Sequence, residues 1–199
     1  MPLPLTPQNA CAVLRARIEP IIAQKGRAFV ALDGMAASGK TTLAAQLAAL
    51  LPGCAILHMD DFFLPQALRD AGYAAREIAN SDVGRVLGEV LAPLARGEEA
   101  VYRPYVHHPT PAFLPPVRIA RDCPAVIVEG AYSLHPALFD LYDLRALMCV
   151  SAQTQRERIL ARNGEALLSR FLSEWIPLEN RHIAARALEK RCDAVIRVP

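Results

Sequence analysis

The sequence predicts one α/β domain, residues 1–199, built on a parallel five-stranded sheet with helices on both faces. Three observations lead there. Five short continuous apolar runs alternate with longer stretches whose apolar residues recur at helical spacing, the pattern of strands buried on both faces. A glycine-rich turn joins the first apolar run directly to a helix pattern. The 199 residues are 53% hydrophobic with a mean hydropathy of +0.19, enough apolar surface for one well-packed core.

In chain order, Thr6-Pro7 reads as an N-cap followed by proline in the first helical turn. A helix is expected from there to about Lys25, with Val13, Leu14, Ile18 and Ile21 on one side, a kink at Pro20 and an end at Gly26 (residues 1–26 forming an N-terminal helical segment). Ala28–Asp33 is the first strand, Lys40–Leu51 the helix after the glycine-rich turn, and Ala55–His58 the second strand. Ser81 is expected to cap a helix reaching about Arg96, in which Val83, Val86, Leu87, Val90, Leu91 and Leu94 make a helical stripe. Tyr102–Pro116 holds five prolines and is expected to be an irregular loop over the sheet, beside a substrate. Ala125–Glu129 and Ala146–Val150 are the third and fourth strands. Thr154–Asn163 and Glu165–Lys190 read as helical with an interruption at Pro177, and Ala194–Val198 is the fifth strand.

Gly34-Met35-Ala36-Ala37-Ser38-Gly39-Lys40-Thr41 satisfies G-x-x-x-x-G-K-[ST], with Thr42 continuing into the helix. Glycines let the backbone wrap so that successive N–H groups point at phosphates, and the helix adds its positive N-terminus. Lys40 reaches the β- and γ-phosphates and the Thr41 hydroxyl ligates Mg²⁺. A buried strand before and a helix after supply the context this motif needs, so the fold is expected to be that of P-loop NTPases, with ATP and Mg²⁺ as cofactors. The two phosphate-handling strands must be neighbours to share one Mg²⁺. The expected spatial order is therefore 2-3-1-4-5, with Ala28–Asp33 between Ala125–Glu129 and Ala146–Val150.

Other groups at strand ends narrow the chemistry. Ala55–His58 runs directly into Met59-Asp60-Asp61-Phe62-Phe63, and ligands of open α/β sheets lie beyond the carboxyl ends of strands. Asp60 there can take a proton from a substrate hydroxyl or hold Mg²⁺ through water; as a pair, Asp60-Asp61 also reads as a helix cap or exposed turn. The strand Ala125–Glu129 closes on an acid, the arrangement in which a carboxylate orients Mg²⁺ or its waters. Arg158 and Arg162 lie four residues apart on one helical face, in a region 154–175 that suits a lid over the phosphates, or equally a solvated face.

Together these segments resemble the uridine kinase and nicotinamide riboside kinase group of P-loop kinases. DGMAASGKTT is similar to the group's phosphate loop, ILHMDDFFLP to its acidic segment, AVIVEGAYSL to its acid-closed strand, RERILARN to its lid and CDAVIRVP to its last strand. The resemblance spans most of Phe29–Pro199. It implies Asp60 as the catalytic aspartate, Glu129 near Mg²⁺, and catalytic roles for Lys40, Arg158 and Arg162. It departs from the group at Asn163, where an aspartate follows the arginines, and in YRPYVHH, which only approximates the group's tyrosine- and histidine-bearing loop. The expected activity is transfer of the γ-phosphoryl group of ATP to a hydroxyl of a nucleoside-like small molecule. That acceptor would lie between Asp60 and the loop Tyr102–His108, touching Glu129, with Tyr105 stacked on a ring and Arg103 or His107 on its polar edge.

Two other P-loop chemistries were weighed against this one. A GTP-hydrolysing switch carries an N-K-x-D motif after a late strand, and the sequence has none. A kinase for a phosphorylated acceptor needs arginines at that acceptor, for which Arg69, Arg76, Arg85 and Arg103 are available. A pure binding module would leave the transfer groups idle. A net charge of +2 gives no broad basic field for nucleic acid, no stretch approaches the roughly 18 apolar residues of a membrane helix, and MPLPLTPQNA lacks signal-peptide features. Five widely spaced cysteines without a CxxC pair read as free thiols in a reducing cytoplasm.

Overall fold

Strands buried on both faces must share one sheet, and here six parallel strands do so. In chain order they are β1 (Leu3–Leu5), β2 (Ala28–Gly34), β3 (Ala55–His58), β8 (Ala125–Glu129), β9 (Leu144–Val150) and β10 (Ala194–Val198), arranged β1-β10-β9-β2-β8-β3. The computed structural model describes residues 1–65, 81–106 and 110–199. The five anticipated strands take the anticipated order, and Leu32 of β2 is in register with Glu129 of β8. The count of five is corrected to six: β1, only three residues long, extends the edge beside β10, Leu3 opposite Ala194.

Side chains alternate across β2, so each face receives its own core. Val30 and Leu32 face a cluster shared with α1 (Pro7–Lys25) and α2 (Lys40–Leu50), including Leu14, Ile18, Leu43 and Leu47. Ala31 faces a second cluster with Val83, Val86, Val90, Leu91 and Leu94 of α3 (83–95). The apolar stripe anticipated for α3 is thus its buried face, and Leu87 packs against the same cluster. α1 starts with the Thr6 N–H donating to Asn9 Oδ1 at 2.9 Å, continues through Pro20, and ends at Gly26 in the left-handed conformation, φ 77°.

Three boundaries differ from expectation. The α3 cap is Asp82, whose Oδ1 accepts the Arg85 N–H at 3.1 Å, whereas Ser81 is buried and bridges Phe63. The C-terminal helices break at Gly164 (φ 76°), as the gap between Asn163 and Glu165 anticipated, but the second break is at Ala187 (φ 48°), not at Pro177. Pro177 falls in the first turn of the helix Ile176–Ala185, directly after the wide π-turn Phe171–Trp175, where its missing N–H removes no regular helical bond. The proline-rich stretch pairs rather than wandering: β4 (Ala100–Tyr102) with β7 (Val117–Ile119), and β5 (Tyr105–Val106) with β6 (Ala112–Phe113). Among the described residues, no helix is long and apolar enough to cross a membrane.

Candidate active site

All strands of the main sheet are parallel, so their carboxyl ends share one edge, and a cleft of about 700 Å³ runs across it. The β2-to-α2 turn forms its floor. Gly34 is there because nothing larger fits: its φ is 140°, and an added Cβ would lie 2.1 Å from the Met148 carbonyl oxygen on β9. Lys40 is buried, and its Nζ donates to the carbonyls of Gly34 and Met35, both at 2.9 Å; no carboxylate among the described residues is in ion-pair contact with it. Ser38 Oγ is buried and unpartnered among the described residues. A cation held by carbonyls, with the Asp60 and Glu179 carboxyls within electrostatic reach, and an orphaned hydroxyl, on a loop of backbone N–H groups at a helix N-terminus, fit a polyphosphate. Ala36, Ala37, Ser38, Gly39, Lys40, Thr41 and Thr42 line the cleft. Gly34 and Met35 support it from behind through their carbonyls on Lys40.

Three acceptor oxygens meet at one end. The Thr41 hydroxyl donates to Glu129 Oε1 at 3.1 Å, and the same oxygen lies 2.6 Å from His58 Nδ1. Asp60, one residue into the 3₁₀ turn Met59–Asp61 that follows β3, lines the same end. Its carboxyl opens to the cleft but is walled by protein, and this loss of bulk water, followed by the Glu129 charge, pushes its pKa upward. The His58 pKa rises chiefly through its hydrogen bond to Glu129. Among the described residues no group of three His, Cys, Asp or Glu side chains is built to cage a metal alone. Two carboxylates and a hydroxyl are instead the hard, incomplete oxygen set that Mg²⁺ takes together with phosphate oxygens and water. Thr41, Glu129 and Asp60 would hold it.

The C-terminal helices clamp the loop from above. Arg158 Nη1 donates to the Ala37 carbonyl at 3.0 Å, while Arg162 lines the cleft with its Nε on Asn163 Oδ1 at 2.8 Å. Sequence reading missed Glu179 and Gln155, which hold one residue of the loop by both its groups. Glu179 Oε2 accepts the Ala36 N–H at 2.8 Å, and Gln155 Nε2 donates to the Ala36 carbonyl at 3.0 Å. Burial raises the Glu179 pKa against the opposing pull of Lys40. Asp33 was also missed as a positioning group. Its carboxylate accepts the N–H groups of Gly34 (2.6 Å), Tyr132 (3.2 Å) and Leu134 (2.7 Å) and lies 3.2 Å from His182 Nε2, tying the loop to the β8 turn and the helix Ile176–Ala185. His58 and Asp33 had a signal, since one sits two residues before Asp60 at a strand end and the other directly before the loop; Glu179 and Gln155 are separated from the loop by too much chain to show one.

Arg103 and Tyr105 do not line the cleft, although a backbone bridge ties Tyr105 to Phe62, two residues past Asp60. Arg103 spends its guanidinium on the carbonyls of Leu114 (2.9 Å) and Phe113 (3.0 Å). Tyr105 is buried, edge-on to Phe113 at 5.0 Å, and neither residue lines the cleft. The paired β5–β6 segment consumes both internally. His107, Arg69 and Arg76 lie outside the described residues, and Arg85 pairs with Glu89 at 2.8 Å. Phe63, Ser81 and Tyr132 line the acid-bearing end instead, while Phe62 is fully buried against Tyr102.

No family model matches the sequence. Nicotinamide riboside kinase 2 from Homo sapiens is 32% identical over 141 residues, covering 68% of this chain and 57% of that protein. Nicotinamide riboside kinase 2 from Mus musculus is 29% identical over 136 residues, covering 65% of each. The chain therefore spans less than two thirds of the length of the curated relatives it matches. A possible uridine kinase from Bacillus stearothermophilus superposes with a TM-score of 0.66 at 21% identity, over 92% of this chain and 98% of that one, which shows the shared fold.

Proposed function

We propose that this chain, related in sequence and fold to the uridine kinase and nicotinamide riboside kinase group of P-loop kinases, transfers the γ-phosphoryl group of ATP to a hydroxyl of a nucleoside-like acceptor. The observation that carries the reading is the Thr41–Glu129 contact of 3.1 Å beside Asp60, at one end of a cleft whose floor is a buried Lys40 bonded to two carbonyls. The loop N–H groups and Lys40 hold the β- and γ-phosphates. Mg²⁺, when bound, neutralises charge on those phosphates. Asp60 accepts the proton of the acceptor hydroxyl as its oxygen bonds to the γ-phosphorus; the bond from that phosphorus to the bridging oxygen breaks and ADP leaves. Arg158 and Arg162 are placed to share the charge of the transferring group.

A phosphorylated acceptor fits less well. It needs no base, and Asp60 and Glu129 would repel it, while Arg85 and Arg103 are occupied elsewhere. The five free cysteines suit a compartment that keeps thiols reduced. ADP release should be compared for uridine, cytidine and nicotinamide riboside against the corresponding monophosphates. The reading expects turnover with at least one free nucleoside. Robust turnover of a monophosphate, with every free hydroxyl compound refused, would replace it with the phosphorylated-acceptor kinase.

A further inference from the structure

We infer that the first turn of α1, carried into place by β1, forms one wall of the slot that receives the base of the donor nucleotide. The inference rests on reading the cleft as a triphosphate site and adds to it a part of the chain that carries none of the recognised motifs. Sheet order lays the cleft out as a line. From one end it passes Asp60 beyond β3, Glu129 at the end of β8, the phosphate loop beyond β2, Met148 on β9 and Val198 on β10. The γ-phosphate belongs at the acidic end, where Thr41, Glu129 and Asp60 gather. A nucleotide held by its phosphates over Gly39–Thr41 must therefore run its base the other way, toward β10.

That far end is lined by Pro7, Ala10, Thr42, Leu43, Gln46 and Val198. It carries no formal charge, four of its six side chains are apolar, and Gln46 offers an amide that can both donate and accept. Such a surface suits the flat face of a base and repels nothing on its edge. β1 explains how the segment comes to be there. It runs parallel to β10, so its carboxyl end reaches the same edge of the sheet as the loop, and α1 starts at that edge with Pro7. Leu14 and Ile18, farther along α1, share one buried cluster with Leu43, Leu47 and Val198, which fixes the helix against both α2 and β10. Val198 is held in turn by the Ser151 N–H on its carbonyl at 3.1 Å. The wall is thus built by packing of the chain against itself.

The test separates base from phosphate. Pro7 is part-exposed, so Pro7→Trp can intrude on the slot without filling a core position, and its melting temperature reports folding. Binding of ATP and of inorganic tripolyphosphate, which has no base, should be measured for wild type and variant. The inference expects ATP affinity to fall about tenfold, the scale of one lost base-packing contact, with tripolyphosphate affinity unchanged. Independently, 8-azido-ATP should photolabel the wild-type tryptic peptide Met1–Arg15. Unchanged ATP affinity in Pro7→Trp, together with labelling confined to other peptides, would overturn the inference while leaving the kinase reading standing. Failure of wild type to bind either ATP or tripolyphosphate would overturn both.

Discussion

Replacing Lys40 with Met should move activity and stability in opposite directions, which no purely structural role for the lysine would do. In the folded protein Lys40 is 9% exposed and its ammonium has two carbonyl partners at 2.9 Å; among the described residues no carboxylate is in ion-pair contact with it, though Asp60 and Glu179 are within electrostatic reach. Losing two such hydrogen bonds costs about 3–6 kcal/mol in gross terms, since bonds to a charged group are worth roughly 1.5–3 kcal/mol each. Removing a desolvated charge returns several kcal/mol, and methionine fills a similar volume. The melting temperature without ligand should therefore stay level or rise. The triphosphate, by contrast, loses the one cation on the loop that meets its β- and γ-oxygens. Loss of a single preorganised group of this kind costs about 2.7–4 kcal/mol in the transition state, or roughly 10²–10³ in kcat/KM. Coupled ADP-release kinetics beside thermal unfolding of the ligand-free protein measure both quantities. A kcat/KM within a few-fold of wild type, or a variant that loses its fold while wild type keeps it, would refute the assignment of Lys40 to phosphate.

Further outcomes follow from the same geometry. Asp60→Asn should keep ATP affinity in a binding titration and lose about 10²-fold or more in kcat, because the amide keeps shape but takes no proton. Arg158→Ala should lower kcat with little change in melting temperature, since its hydrogen bond to the Ala37 carbonyl is exposed, and an unchanged kcat would return it to a loop-bracing role. Gly34→Ala should lower the melting temperature by roughly 6–12 °C, the scale of about 3 kcal/mol in a chain of this size, because the new Cβ collides with backbone. Glu179→Gln should stabilise the protein at neutral pH while keeping an acceptor for the Ala36 N–H. The folded-state pKa of Glu179 is raised, so the folded form binds more protons, and the stability that proton contributes is full below the ordinary carboxylate pKa and lost as pH rises through the raised one. The stabilisation should accordingly vanish when unfolding is measured in acid, and a gain independent of pH would contradict the assignment.

What the sequence made legible was whatever is local. The loop Gly34–Thr41 is one contiguous motif, Asp60 and Glu129 each follow directly on an apolar run, and sharing one Mg²⁺ forces β2 and β8 together. Groups that act from afar left no such trace. Glu179 reaches Ala36 across 143 positions and Gln155 across 119, and in one dimension each is an ordinary polar residue in a helical stretch. β1 is three residues that become a strand only because β10 offers an open edge. Arg103 and Tyr105 misled for a related reason: polar and aromatic residues in a proline-rich stretch look available for a ligand until β5 and β6 pair and use them. At Ser81 the neighbouring Asp82 won the cap, since a carboxylate beside the helix N-terminus gains from the helix dipole as well as from the hydrogen bond.

The central claim, hydroxyl phosphorylation at the acidic end of the cleft, is tested most directly by the product itself. Wild-type protein should be incubated with Mg²⁺, ATP labelled at the γ-phosphoryl group, and uridine or nicotinamide riboside, and the acceptor then isolated and weighed. The account predicts an acceptor carrying one labelled phosphoryl group on a hydroxyl, absent when Asp60 is replaced by Asn. Label found only as inorganic phosphate with every acceptor unchanged, or product formed equally by Asp60→Asn, would contradict it.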